Sequence, residues 1–319
     1  MSDTTHSRSP KSANEWTADD LRAYNISVFS VPPSKFFPSS SSPTSLNQVV
    51  DPAILTSPCP SPYPNSETNA DLPLHVEQYL NYLSLATHTP PLDPNRESAI
   101  VEFSAQTLKL LRFNGRERLK GGAREGEERE REGQEMVLKV IILTRYELPF
   151  TICATTCVAQ TGVCLISVRP TMALLVLIVD PTQPTAVTES GPNSPSPNAE
   201  AHIIATAIAA FQTNNAKRSS RGLPPLDSMT VPGIVMHGTR PTFYFVPVTK
   251  ELEESVLCGM WPENSKETKV VRCATVSEIK GGDLEQGMDD PGYRRLALEH
   301  LLAFKELAKD HWQKLFEGF

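Results

Sequence analysis

The run Met172-Ala173-Leu174-Leu175-Val176-Leu177-Ile178-Val179 is the most apolar stretch of the chain and constrains the fold more than any other. It is eight residues long, whereas a bilayer-spanning helix needs about 20 apolar residues. It therefore reads as a core strand and not as an anchor. Neighbouring runs are of the same kind. Met136 to Ala154 holds one or two strands, with Leu138, Val140, Ile142, Phe150 and Ile152 prominent, and Thr161 to Val168 forms another. Arg169-Pro170 is a turn signal between that strand and the apolar run. Downstream, Met229 to Met236 and Thr242 to Val248 read as two strands joined by the turn His237 to Pro241, and Lys269 to Val276 as one more.

Helical spacing surrounds these strands. Val76, Tyr79, Leu80 and Leu83 fall on one face of a first helix. Asp93-Pro94 opens a second, an N-cap followed by proline at the first helical position, with Ile100, Phe103, Thr107, Leu110 and Leu111 on its buried side. A third runs from about Asn198 to Lys217. Its wide apolar face (Ile203, Ile204, Ala207, Ile208, Phe211) suits a helix packed on a sheet. Lys250 to Met260 reads as a short helix. A last helix, 291–316, starts at Asp290-Pro291 and lines up Leu298, Leu301, Leu302, Lys305, Ala308, Trp312 and Leu315. This order predicts an α/β (α+β) domain, a mixed sheet flanked by helices, over residues 73–319.

The 28 prolines among 319 residues are unevenly placed. Residues 1–72 are rich in Pro and Ser, and such a segment cannot bury enough apolar surface to offset its ordering entropy. They are expected to form a mostly disordered tail, broken by a short helix near 17–24 that Thr17 caps. Two flexible inserts are expected at 114–136 and 181–198. The first contains GRERLKGGAREGEEREREGQE, a mixed-charge stretch that reads as a surface loop, a solvated charged helix or translated intron.

The net charge of −7 argues against a general nucleic-acid coat, which needs a basic surface. From residue 200 onward 14 basic residues face 16 acidic ones, so no basic footprint stands out there. The first thirty residues lack the apolar core of a secretory signal. With six cysteines, this points to reduced thiols in an intracellular protein, cytoplasmic or nuclear, with no transmembrane segment. Cys153, Cys157 and Cys164 are spaced C-x3-C-x6-C with no histidine nearby, which fits buried strand thiols better than zinc. His300 and His311 share a helical face but lie three turns apart, too far for one metal. A nucleophile elbow, P-loop, Rossmann glycine fingerprint, H-E-x-x-H motif and EF-hand loop are absent.

Several stretches carry a resemblance. They are Glu97 to Phe103, Ala159 to Leu165, Ala205 to Asn215, Val231-Pro232-Gly233-Ile234, Gly238 to Tyr244 and Pro247-Val248-Thr249. Across residues 15–316 the chain resembles a large, uncharacterised protein family of mushroom-forming fungi (basidiomycetes). Its element order resembles the αβββαβ core of the restriction-endonuclease-like, PD-(D/E)XK, fold. That resemblance implies a carboxylate on one strand, Glu-x-Lys on the next, and Mg²⁺ held between them to activate water. Gly162 stands where the first carboxylate is expected, Val179 where the Glu is expected and Pro181 where the Lys is expected. Asp180 is at the middle position, and alternation along a strand turns it to the opposite face. Glu97 is the helix carboxylate that such a site could still use.

Three readings follow. The first is a catalytically inactive nuclease-like domain acting as a binding or interaction module, with no metal and no cofactor. The second is a metal-dependent nuclease with a displaced site built on Asp180 and Glu97, which alone would need Mg²⁺. The third is a non-functional or mispredicted family member. Lys217, Arg218, Arg221 and Arg240 are candidate nucleic-acid contacts, if the fold assembles them. Otherwise the first three complement the negative end of a helix. The sequence leaves the partner and the oligomeric state open.

Overall fold

The apolar run becomes the strand β7 (Thr171–Asp180), near the middle of an eight-stranded sheet. The structure is a computed structural model, and it describes residues 9–37, 45–60, 72–119, 136–180, 196–262, 266–275 and 287–318. The other strands, in chain order, are β1 (Ile26–Ser30), β2 (Gly115–Leu119), β3 (Met136–Thr144), β4 (Glu147–Ile152), β5 (Thr155–Gln160) and β6 (Val163–Val168). After β7 come β8 (Ser228–His237), β9 (Arg240–Thr249) and β10 (Thr268–Ala274). The order across the sheet is β1-β10-β9-β8-β7-β6-β3-β2, and β4 and β5 form a separate hairpin. β3, β6 and β7 are antiparallel neighbours, whereas β8 lies parallel to β7. The sheet is therefore mixed, as the element order predicts.

The helices are α1 (Ala18–Ala23), α2 (Pro33–Phe36), α3 (Leu46–Val49), α4 (Pro52–Thr56), α5 (Leu74–His88) and α6 (Arg96–Leu110), followed by α7 (Pro197–Ser219), α8 (Lys250–Cys258) and α9 (Pro291–Leu315). They cover both faces of the sheet. A Cβ added at Gly162 would meet Val101 of α6, and one added at Gly233 would meet Ile203 of α7 at 3.0 Å. Phe304 of α9 packs on Phe243 with ring centroids 4.9 Å apart. Local chemistry sets the helix starts. Ser196 caps α7, Thr249 caps α8 and Asp290 caps α9, and proline opens α7 and α9. The second predicted helix starts slightly later than expected, at Arg96. Asp93 instead folds its carboxylate back onto the Asn95 N–H at 2.8 Å, making a turn ahead of the helix.

β7 carries one extra residue. Leu165 pairs with Leu175 and Ile166 with Ala173, so Leu174 bulges out of the ladder. Side chains from both helical layers satisfy its backbone. Asn214 of α7 exchanges two hydrogen bonds of 2.9 Å with Ala173, and Trp312 of α9 donates to the Leu174 carbonyl at 2.9 Å.

The expectation of a mostly disordered tail is corrected by residues 9–37 and 45–60. Trp16 and Tyr24 are buried and stack with centroids 5.4 Å apart, and β1 pairs in parallel with β10. Leu46, Ile54 and Leu55 are buried as well, and Arg294 of α9 donates to the carbonyls of Ile54 and Ser57 at 2.6 and 2.9 Å. Composition underrates this segment because its few apolar anchors pack on surface that the rest of the chain provides. The helix foreseen near 17–24 is α1, with Thr17 at its N-cap. The first insert is also narrower than 114–136, because β2 occupies 115–119 and pairs with β3. The remainder of that insert, most of the second one, and the stretches 1–8, 38–44 and 61–71 lie outside the described residues. Cys164 is a buried strand thiol as expected, while Cys153 and Cys157 are only partly buried and Cys153 sits in the β4–β5 turn.

Candidate functional site

The motif positions converge at the end of the sheet where β6 begins and β7 finishes. A Cβ on Gly162 would lie 3.3 Å from Val179 Cγ2, 3.4 Å from Val101 Cγ2 and 3.3 Å from the Leu177 carbonyl oxygen. Positions 162 and 179 thus face each other beneath α6, and neither residue offers a metal ligand. Glu97 stands one helical turn before Val101, so it shares that flank, and it is exposed. Pro181 lies outside the described residues.

A short turn holds Gly162 in place. Arg145, between β3 and β4, adopts a left-handed backbone (φ 51°) and donates its N–H to the Gly162 carbonyl at 2.9 Å. The Thr161 N–H donates in the same way to Tyr146, also at 2.9 Å. The Arg145 guanidinium then reaches α6, donating to Ser98 Oγ at 2.6 Å and pairing with Glu102 at 3.6 Å. Arg145 thereby clamps the turn that carries Gly162 to the exposed flank of α6.

Asp180 lies on the other face, towards α7, and is 2% exposed. One of its oxygens accepts the Ser196 N–H at 2.8 Å and lies 3.2 Å from His237 Nδ1. The carboxylate therefore ties the start of α7, where backbone N–H groups accumulate, to the end of β8. His237 is 6% exposed, and its Nε2 has no hydrogen-bond partner among the described residues. The register Asp180↔His237↔Arg240 carries the row across three strands. On the flank of α7, His202 Nε2 lies 3.2 Å from the Gln160 carbonyl, and burial pushes its pKa down to about 4 although that carbonyl opposes the shift.

This geometry corrects two expectations. Glu97 and Asp180 lie on opposite faces of the sheet, so the displaced site built on that pair is not assembled. The strand's two-residue period puts a layer of backbone between them. The basic group is not assembled either. α7 runs from the Asp180 end of β7 to the Ala173 end, and its 23 residues span about 34 Å. Lys217, Arg218 and Arg221 sit at its far end, and Arg240 sits at the near end beside His237. Arg218 is moreover a structural clasp. It is 3% exposed and donates to the carbonyls of Pro224, Leu315 and Glu317 at 2.9 to 3.0 Å. Arg240 is 6% exposed, whereas Lys217 and Arg221 are exposed.

His237 and Arg145 are the residues at this end that sequence reasoning missed. The sequence marks His237 only as part of a turn, though its place opposite Asp180 follows once β8 is laid parallel to β7. Nothing in the local sequence marks Arg145. His300 and His311 serve packing, against Phe37 and Phe245 with ring centroids 4.8 and 4.7 Å apart.

Among the described residues, no group of three or more His, Cys, Asp or Glu side chains could hold a metal ion. Nor is any helix among them long and apolar enough to cross a membrane. No protein-family model matches the chain, and no curated protein matches it.

Proposed function

We propose that the chain is a restriction-endonuclease-like scaffold, of the kind the fungal family resemblance implies, that has lost its metal site and acts as a binding module. The observation that carries this reading is the meeting of Gly162 and Val179 beneath Val101. The order α6, β3, β6, β7, α7, β8 supports it, once the edge strand β2 and the β4–β5 hairpin are set aside as additions to that core. Mg²⁺ takes oxygen ligands in a near-octahedral shell. A glycine and a valine supply none, and Glu102 on the adjoining helix is engaged by Arg145. The residues present do not fit the ion.

The test is titration of Mn²⁺ into the full chain by calorimetry, beside a Gly162→Asp, Val179→Glu, Pro181→Lys variant. The full chain is needed because residues 9–37 and 45–60 are part of the packed body. The valine-to-glutamate change also replaces two Cγ branches by one, which lets the position now held by the crowding methyl be vacated for a new Cβ at 162. The expected result is no binding by the native chain and a gain in the variant. Micromolar binding by the native chain would overturn the inactive reading, and no gain in a folded variant would sink the motif assignment.

A further inference from the structure

We draw no further inference here: the strongest candidate, the cleft between α8 and the start of β10 where Met260 and Trp261 stand half-exposed, has charges of both signs on its walls, Glu251 and Glu254 against Lys266 and Lys269, and nothing in the structure shows what covers it.

Discussion

On the α6 side of the end of β7, Gly162, Val179 and Val101 meet in an apolar contact with no titratable group. One residue further on, the α7 side holds Asp180, the Ser196 N–H and His237 in a buried polar network. The fold asks the same of both places, which is to join strand ends to a helix start, and they do it by opposite means. The apolar side loses only packing contacts when it is trimmed, and Val179 is partly exposed, so small changes there cost little. The polar side depends on complete hydrogen bonding, so losing one member strands the others in a dry environment.

The largest expected effect probes how firmly the polar side is covered. Trp16 packs against Tyr24 and Phe150 and brings the N-terminal segment onto the α7 layer. Trp16→Ala should cost about 3–5 kcal/mol in chemical denaturation, the range for truncating a buried aromatic. A cost below 1 kcal/mol would mean that this segment is not part of the body. Asp180→Ala comes next. It leaves the Ser196 N–H and His237 without their acceptor, at about 1–3 kcal/mol for each stranded group. Its neighbour provides the contrast. Val179→Ala should cost about 1–2 kcal/mol, the lower part of the range for removing methyl groups from a partly buried site. Equal costs for the two would erase the distinction between the faces.

Acid should unsettle both faces through histidines held neutral. Burial pushes His202, on α7, and His300, on α9, each from an ordinary 6.5 down to about 4. The unfolded chain takes up these protons first as pH falls. The contribution is therefore intact above pH 6.5, is lost between 6.5 and 4, and changes no further below 4. Urea midpoints at pH 7.5 and 5 should differ less in His300→Phe, whose ring can keep the contacts with Phe37 and Phe243, and in His202→Gln. An unchanged pH dependence in both variants would remove these groups from the account. The smallest effect is expected at Gly162→Ala, within about 1 kcal/mol. Its backbone is not left-handed, and the new methyl is tight but not blocked. The change should become easier in a Val179→Ala background, a coupling that a double-mutant cycle would read.

The sequence made the centre of this sheet legible because β6 to β9 are dense in apolar and β-branched residues, a pattern that flanking turns bound clearly. It hid the two edges, since Ile-Ser-Val-Phe-Ser and Gly-Arg-Glu-Arg-Leu carry no comparable signal: the charges of β2 mask a strand that pairs with its neighbour β3, and the partner of β1 is distant in the chain. β1 finds its partner in β10, more than two hundred residues away. The N-terminal anchors are equally hard to see, because their stability comes from a surface the local window does not contain. At the candidate site the two-residue period was enough to turn Asp180 away from Val179. The clasp made by Arg218, the clamp made by Arg145 and the pairing of His237 depend on positions that only the folded chain brings together.

The bulge at Leu174 has a genetic consequence. It inserts one residue between the pairs Ile166↔Ala173 and Leu165↔Leu175, which belong to consecutive positions of β6. Deleting that single codon would therefore join two halves of the ladder that are already in register, and would leave Val179 facing α6 and Asp180 facing α7. The loss would be felt at the carbonyl that Trp312 holds and not at the strand's end. Here the gene can drop a codon without turning the strand over.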